Sequence, residues 1–170
     1  MQNKISSFIN VPDGSNQLVL RAASRLDLLN LRNWKNEQRV FFFHTKEITK
    51  DQQQAWFDAY QLRPHDYMFI VDVNERAIGG MGIRLLADDW DIYNVILGDE
   101  IYAKKGFMGK AFQAMLAFAS AQTLRPITLK VLKHNPAVTW YQKQGLEIIA
   151  EQLNHFQMIF KTQNKKESSL

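Results

Sequence analysis

A glycine turn between a strand-like run and a helix-like run limits the architectures open to this chain more than any other stretch of its sequence. Residues 92–101 read as a strand and residues 110–122 as a helix, and between them lies Ala103-Lys104-Lys105-Gly106-Phe107-Met108-Gly109-Lys110-Ala111. The glycines expose backbone N–H groups at a helix N-terminus, where first-turn amides have no partner within the helix, and that makes an anion site. Lys104, Lys105 and Lys110 add the positive charge a pyrophosphate requires. A second segment, from Asn135 through Ala137 and Tyr141 to Gly145, reads as a short helix. Its asparagine starts it, its glycine stops it, and it carries the phenol of Tyr141.

The rest of the chain supplies a sheet around these two segments. Residues 17–23 are β-like, and Ser24 with Asp27 opens a helix in which Leu28, Leu31 and Trp34 recur at helical spacing. Residues 39–45, with the consecutive Phe41, Phe42 and Phe43, form a turn before Thr49 starts a second helix through Trp56, Phe57 and Tyr60. Residues 67–73 and 77–87 make a hairpin about Asn74-Glu75-Arg76, and Gly79, Gly80 and Gly82 in its second strand mark a bulge or a close backbone approach. After the glycine turn and its helix come a strand at 127–132, the Tyr141 helix, and a closing hairpin of 146–151 with 156–162. The expectation is one α/β (α+β) domain over residues 1–163, followed by a polar tail at 164–170. Its mixed, mostly antiparallel, seven-stranded sheet is flanked on both faces by about four helices.

Composition excludes several classes. At 170 residues, with 46% hydrophobic and 22% charged, the chain suits a single soluble domain and is too apolar for a disordered one. No apolar run reaches the roughly 20 residues of a membrane span, and the first ten residues lack the pattern of a secretory signal, so a cytoplasmic location without membrane attachment is expected. The net charge of +4 suits nucleic acid or a phosphate-rich small molecule, but the lysines and arginines are spread out, so no nucleic-acid partner is expected. His44, His65, His134 and His155 show no metal-ligand spacing, and no metal is expected.

At the two opening segments the chain resembles the GCN5-related N-acetyltransferase (GNAT) superfamily, which transfers acetyl from acetyl-CoA to an amine. The family's pyrophosphate turn places a glutamine or arginine, a glycine and a small residue where this chain has Ala103, Gly106 and Met108. Shifting to Gly106, Gly109 and Ala111 restores the small residues but not the first position, where Lys104 or Lys105 substitutes. Asn135, Ala137, Tyr141 and Gly145 match the family's second motif. The N-terminal half, with Leu20-Arg21, Asn33-Trp34-Lys35-Asn36, Ile48-Thr49 and Trp56-Phe57, is similar to members that acetylate nucleotide-linked amino sugars, such as the pseudaminic acid pathway enzyme. Lys35 stands where those members usually carry arginine, and a lysine cannot grip a phosphate bidentately.

The resemblance implies acetyl-CoA as co-substrate, bound by Leu97, Gly98 and Ile101 on the fourth strand, by Lys104, Lys105, Gly106, Phe107, Met108, Gly109 and Lys110 at the turn, and by Asn135, Ala137 and Tyr141. Tyr141 is the implied acid for the leaving thiolate; where the family often carries a glutamate early in the fourth strand this chain has Ile92-Tyr93-Asn94, and Asp91, Asp89 or Glu100, acting through water, is the candidate base. With no cysteine, the chain cannot pass acetyl through an enzyme thioester, so direct attack on the donor is expected. Lys35, Phe43 and His44 would meet the phosphate, a ring face and a hydroxyl of the acceptor. The expected acceptor is a UDP- or dTDP-linked amino sugar of surface glycan synthesis. Protein N-termini, those of ribosomal proteins above all, and a non-catalytic CoA-binding role stand as alternatives, and a homodimer is left open.

Overall fold

The computed structural model describes residues 9–161. Along the chain run β1 (Ile9–Val11), β2 (Leu18–Ala22), α1 (Leu28–Glu37), α2 (Lys50–Leu62), β3 (Asp66–Val73), β4 (Arg76–Leu85), β5 (Trp90–Leu97), α3 (Phe107–Gln122), β6 (Ile127–Leu132), α4 (Ala137–Lys143), β7 (Leu146–Glu151) and β8 (His155–Phe160). The strands form one sheet in the order β1-β2-β3-β4-β5-β6-β8-β7. Every pairing is antiparallel except β5 with β6, which α3 joins as a crossover.

Local sequence chemistry fixes the helix starts. The Ser24 hydroxyl and the Asp27 carboxylate cap the turn that leads into α1, and Arg21 bridges Asp27 and Asp72 at 2.8 and 2.6 Å, tying that turn to β2 and β3. Thr49 and Gln52 form the same reciprocal cap at α2. On α3, Phe107, Ala111, Phe112, Met115, Leu116 and Ala119 fall on one stripe and are buried against the sheet. Each large side chain so buried contributes roughly 1.5–3 kcal/mol. One core gathers between that stripe and the sheet, while Leu31, Trp34, Phe57, Tyr60, Met68, Ile70 and Ile96 form a second core under α1 and α2 on the opposite face.

The class, the helix count and the meander agree with the sequence expectation, and two details differ. The sheet has eight strands, not seven, because the three-residue β1 adds to its edge against β2. The strand expected at 92–101 ends at Leu97, since the Asp99 carboxylate accepts the Ile101 N–H and folds 100–102 into a 3-10 turn. The tail expected at 164–170 lies outside the described residues.

Candidate active site

The site follows from a split in the sheet. β5 and β6 pair only over Trp90 with Ile127, Asp91 with Thr128 and Ile92 with Leu129, and beyond Ile92 they part. On its other side β5 carries a bulge, because the register against β4 jumps between Gly80 and Gly82 and leaves Asn94 and Val95 opposite Met81. Asn94 takes the left-handed region at φ 49°, which asparagine tolerates better than other non-glycine residues. Successive side chains of a strand face opposite sides. Accordingly Val95 and Leu97 line a cleft of about 460 Å³ on one face, while Asn94 and Ile96 line a cavity of about 280 Å³ on the other.

The cleft runs from the split to the start of α3. Gly106 occupies the left-handed region at φ 82°, no side chain caps the helix, and a Cβ built on Gly106 would meet nothing within 4 Å, so the entry to the helix is open and uncapped. Lys104, Met108 and Gly109 line the same mouth. Asn135 acts at the far wall: its Oδ1 accepts the Ala137 N–H at 2.8 Å, and its Nδ2 donates to the Phe41 carbonyl at 3.2 Å. His134 meets the Val40 carbonyl at 2.8 Å, so both residues pin the phenylalanine turn across the cleft. Tyr141 lines the cleft between Phe112 and Trp140, and burial raises its phenol well above the ordinary value, which keeps the hydroxyl protonated.

The cavity lies under α1 and α2, and of the Asn33-Trp34-Lys35-Asn36 run Lys35 lines it while Trp34 and Asn36 fix the neighbouring segments. The Trp34 indole packs on Gly98, where an added Cβ would lie 2.1 Å from the ring. Asn36 exchanges two hydrogen bonds with the Ile48 backbone, 2.8 and 3.0 Å long, and so fixes the segment before α2. Between them Lys35 enters the cavity, donates to Asn94 Oδ1 and lies 3.4 Å from the Phe42 ring centroid. Burial lowers its pKa from 10.5 to about 7. Leu31, Ile48, Trp56, Met68 and Ile96 supply apolar walls, and His44, Gln52, Gln53 and Asn94 the polar groups. Among the described residues, no carboxylate lines the cavity or the cleft.

The comparisons with known proteins agree with this geometry. The model of the acetyltransferase (GNAT) domain matches residues 17–147, which is most of the chain. The chain belongs to the GNAT acetyltransferase family. It is an acetyl-CoA-dependent N-acetyltransferase. Among solved structures, apo FdhC, a nucleotide-linked sugar GNAT, is similar at a TM-score of 0.73 and 17% identity, over 91% of this chain and 90% of that one. Spermidine N-acetyltransferase from Vibrio cholerae, in complex with CoA and spermine, is similar at 0.72 and 20%, over 84% and 94%. RimL, the ribosomal L7/L12 alpha-N-protein acetyltransferase in complex with CoA, is similar at 0.70 and 16%, over 89% and 96%. At these identities the likeness is one of fold. No curated protein gives a significant sequence match.

Within this GNAT domain the residues singled out by sequence divide into three groups. Leu97, Lys104, Gly106, Met108, Gly109, Asn135, Ala137 and Tyr141 line one cleft, and Lys35 and His44 line the cavity. Others border the site with their side chains engaged elsewhere: Phe107 is buried in the core, Lys105 lies over the Tyr102 ring, and Lys110 pairs with Asp13.

The last group stands away from it. The Gly98 N–H already donates to the Ile78 carbonyl, the Leu97 carbonyl accepts from Gln38, and Ile101 is exposed in its turn, so the stretch of β5 that β6 leaves unpaired lies earlier, at 93–96, where Tyr93 and Ile96 still pair with β4. Phe43 is exposed and edges onto His155, and Phe42 takes the position between cleft and cavity. Asp91 is paired with Arg84 at 2.7 Å, roughly 20 Å along β5 from Leu97 at about 3.3 Å per residue. Asp89 accepts from Thr128, and Glu100 is exposed in the 3-10 turn.

Sequence reasoning missed Gln38, Phe42, Asn94 and Trp56. Trp56 and Phe42 lay in runs that drew attention without a site role, and Asn94 had a weaker signal, the glycine-rich partner strand that marked a bulge without saying which residue opposite it would turn inward.

Proposed function

We propose that the chain transfers acetyl from acetyl-CoA directly to the primary amine of a nucleotide-linked amino sugar. The observation that carries this reading is the lining of the cavity, which offers amides, one lysine and an indole face but no carboxylate. A polyamine brings several cations, and burying each without an anionic partner is costly. An amino sugar brings a single ammonium on a ring otherwise neutral and rich in hydroxyls, which the amides of Gln52, Gln53 and Asn94 can pair, and Trp56 gives it an apolar wall. At about 280 Å³ the cavity is smaller than the roughly 300–1,000 Å³ of pockets for drug-sized ligands, so it takes one ring and leaves the nucleotide outside, past the exposed His44.

The cleft fits the donor. The uncapped first turn of α3 with Lys104 suits the pyrophosphate, and the unpaired edge of β5 at 93–96 suits the amide-bearing arm. When bound, acetyl-CoA supplies the activated carbonyl. The chain holds that carbonyl at the split between the strands, excludes water with Phe42 and Trp140, and keeps a proton on the Tyr141 hydroxyl for the leaving sulfur. Free-thiol release from acetyl-CoA tests the acceptor, with UDP- and dTDP-linked amino sugars beside spermidine and N-terminal peptides of ribosomal proteins. Release with one sugar class is the expected result. Release only with peptides or only with spermidine overturns the acceptor class, and acetyl-CoA binding without release in any mixture overturns catalysis.

A further inference from the structure

We infer that Lys35 is the proton acceptor of the reaction, the group that takes a proton from the acceptor's ammonium before that nitrogen attacks. The inference rests on the proposed acceptor cavity and assigns Lys35 a different task from phosphate binding. A phosphate-gripping lysine needs its charge at the surface, whereas the Lys35 Nζ lies inside the cavity against Asn94 Oδ1 and the Phe42 face. No charged or titratable side chain of α2, β3 or β5 lines this cavity, and the connecting loop contributes only His44 at the exposed mouth. Among the described residues Lys35 therefore has no counter-ion lining the cavity. The carboxylates that a base role first points to are committed or distant: Asp91 to Arg84, Asp89 to Thr128, and Glu100 in an exposed turn. Lys35 is the basic group that remains at the place where the amine must lie.

The chemistry closes without a further reagent. A neutral Lys35 amine spends one N–H on Asn94 Oδ1 and keeps a lone pair for the cavity. Desolvation lowers its pKa to about 7 and so favours the neutral amine. The acceptor ammonium gives Lys35 one proton, its freed lone pair forms the N–C bond, the C–S bond breaks, and the Tyr141 hydroxyl gives its proton to the leaving sulfur and takes up the one the new amide nitrogen loses. The products are the N-acetyl sugar, the free thiol and the Lys35 ammonium, which the Phe42 face stabilises until its proton passes to solvent.

Two measurements on the full chain test this. In protein labelled with ¹³C-lysine, the Lys35 ε-carbon, assigned by its loss in Lys35→Met, should titrate near pH 7 whatever the acceptor. A midpoint near 10 would overturn the inference. With the amine that turns over fastest, wild-type kcat/KM should fall tenfold per pH unit below about 7. Lys35→Arg, which keeps the charge but cannot accept a proton, should lose at least 100-fold in kcat and lose that limb, with acetyl-CoA affinity within twofold. Activity of Lys35→Arg within threefold of wild type, with only KM changed, would make Lys35 a binding cation and overturn the proton role. Silence of every sugar together with a midpoint near 7 would remove the acceptor class and support the proton acceptor, so the two failures are separable.

Discussion

Lys35 and Tyr141 show how one physical effect, removal from water, prepares two side chains for opposite tasks. Burial disfavours the charged form of each, so it pushes the lysine down toward neutrality at physiological pH and holds the phenol protonated. Tyr141→Phe should lower turnover by roughly 10- to 100-fold while the acetyl-CoA dissociation constant stays within twofold; steady-state kinetics beside calorimetric titration would separate the two, and unchanged turnover would remove Tyr141 from the chemistry. Lys35 also makes stability depend on pH. Its folded pKa, about 7, lies below the unfolded value near 10.5, so the unfolded chain binds the extra proton between those limits. The cost to stability is therefore complete below about pH 7 and vanishes as pH rises to about 10.5. Lys35→Met should melt higher than wild type at pH 6.5, with the difference shrinking steadily to pH 10 in thermal melts. A constant difference across that range would contradict the depressed pKa.

At the scale of elements, the entry to α3 and the end of β5 make the site. The turn before α3 was legible because its glycines and lysines carry a mechanism: Gly106 needs a positive φ, and the amides behind it need an anion or water. Gly106→Glu has space for its side chain but strains the backbone at its positive φ and places a carboxylate at those amides, and should weaken acetyl-CoA binding at least tenfold by direct titration. Normal affinity would mean that the pyrophosphate lies elsewhere. The end of β5 was less legible. Ile101 prolongs the apolar run in sequence, yet the Asp99 cap turns the chain before it, and a side-chain hydrogen bond of that kind leaves no trace in hydrophobic periodicity. β1 escaped for a different reason, since three residues are too few to show alternation.

On the scale of the whole molecule, β5 is the wall between a cleft and a cavity that belong to opposite faces of the sheet. The antiparallel meander and the glycine turn followed from local pattern, and so did Asn135 and Tyr141, whose helix carries its own start and stop. The cavity did not, because α1, α2, β3 and β5 build it from residues up to about sixty positions apart, and only tertiary packing brings Lys35 to Asn94. The same packing removes Asp91, which reads as a base in sequence but lies at the joined end of β5 and β6 with Arg84. Asp91→Asn should accordingly keep kcat within about twofold with little change in melting temperature, since burial already raises the Asp91 pKa despite its exposed partner Arg84. A 100-fold loss of kcat with an unchanged melting point would return Asp91 to the mechanism.

The most direct test of the account is to follow the acetyl carbon itself. With acetyl-CoA labelled with ¹³C at the carbonyl, a dTDP- or UDP-linked amino sugar and an N-terminal ribosomal peptide in one mixture, the account predicts an amide carbonyl signal on the sugar nitrogen, matched mole for mole by free thiol. A signal on the peptide amine, with the sugars unlabelled, would contradict it.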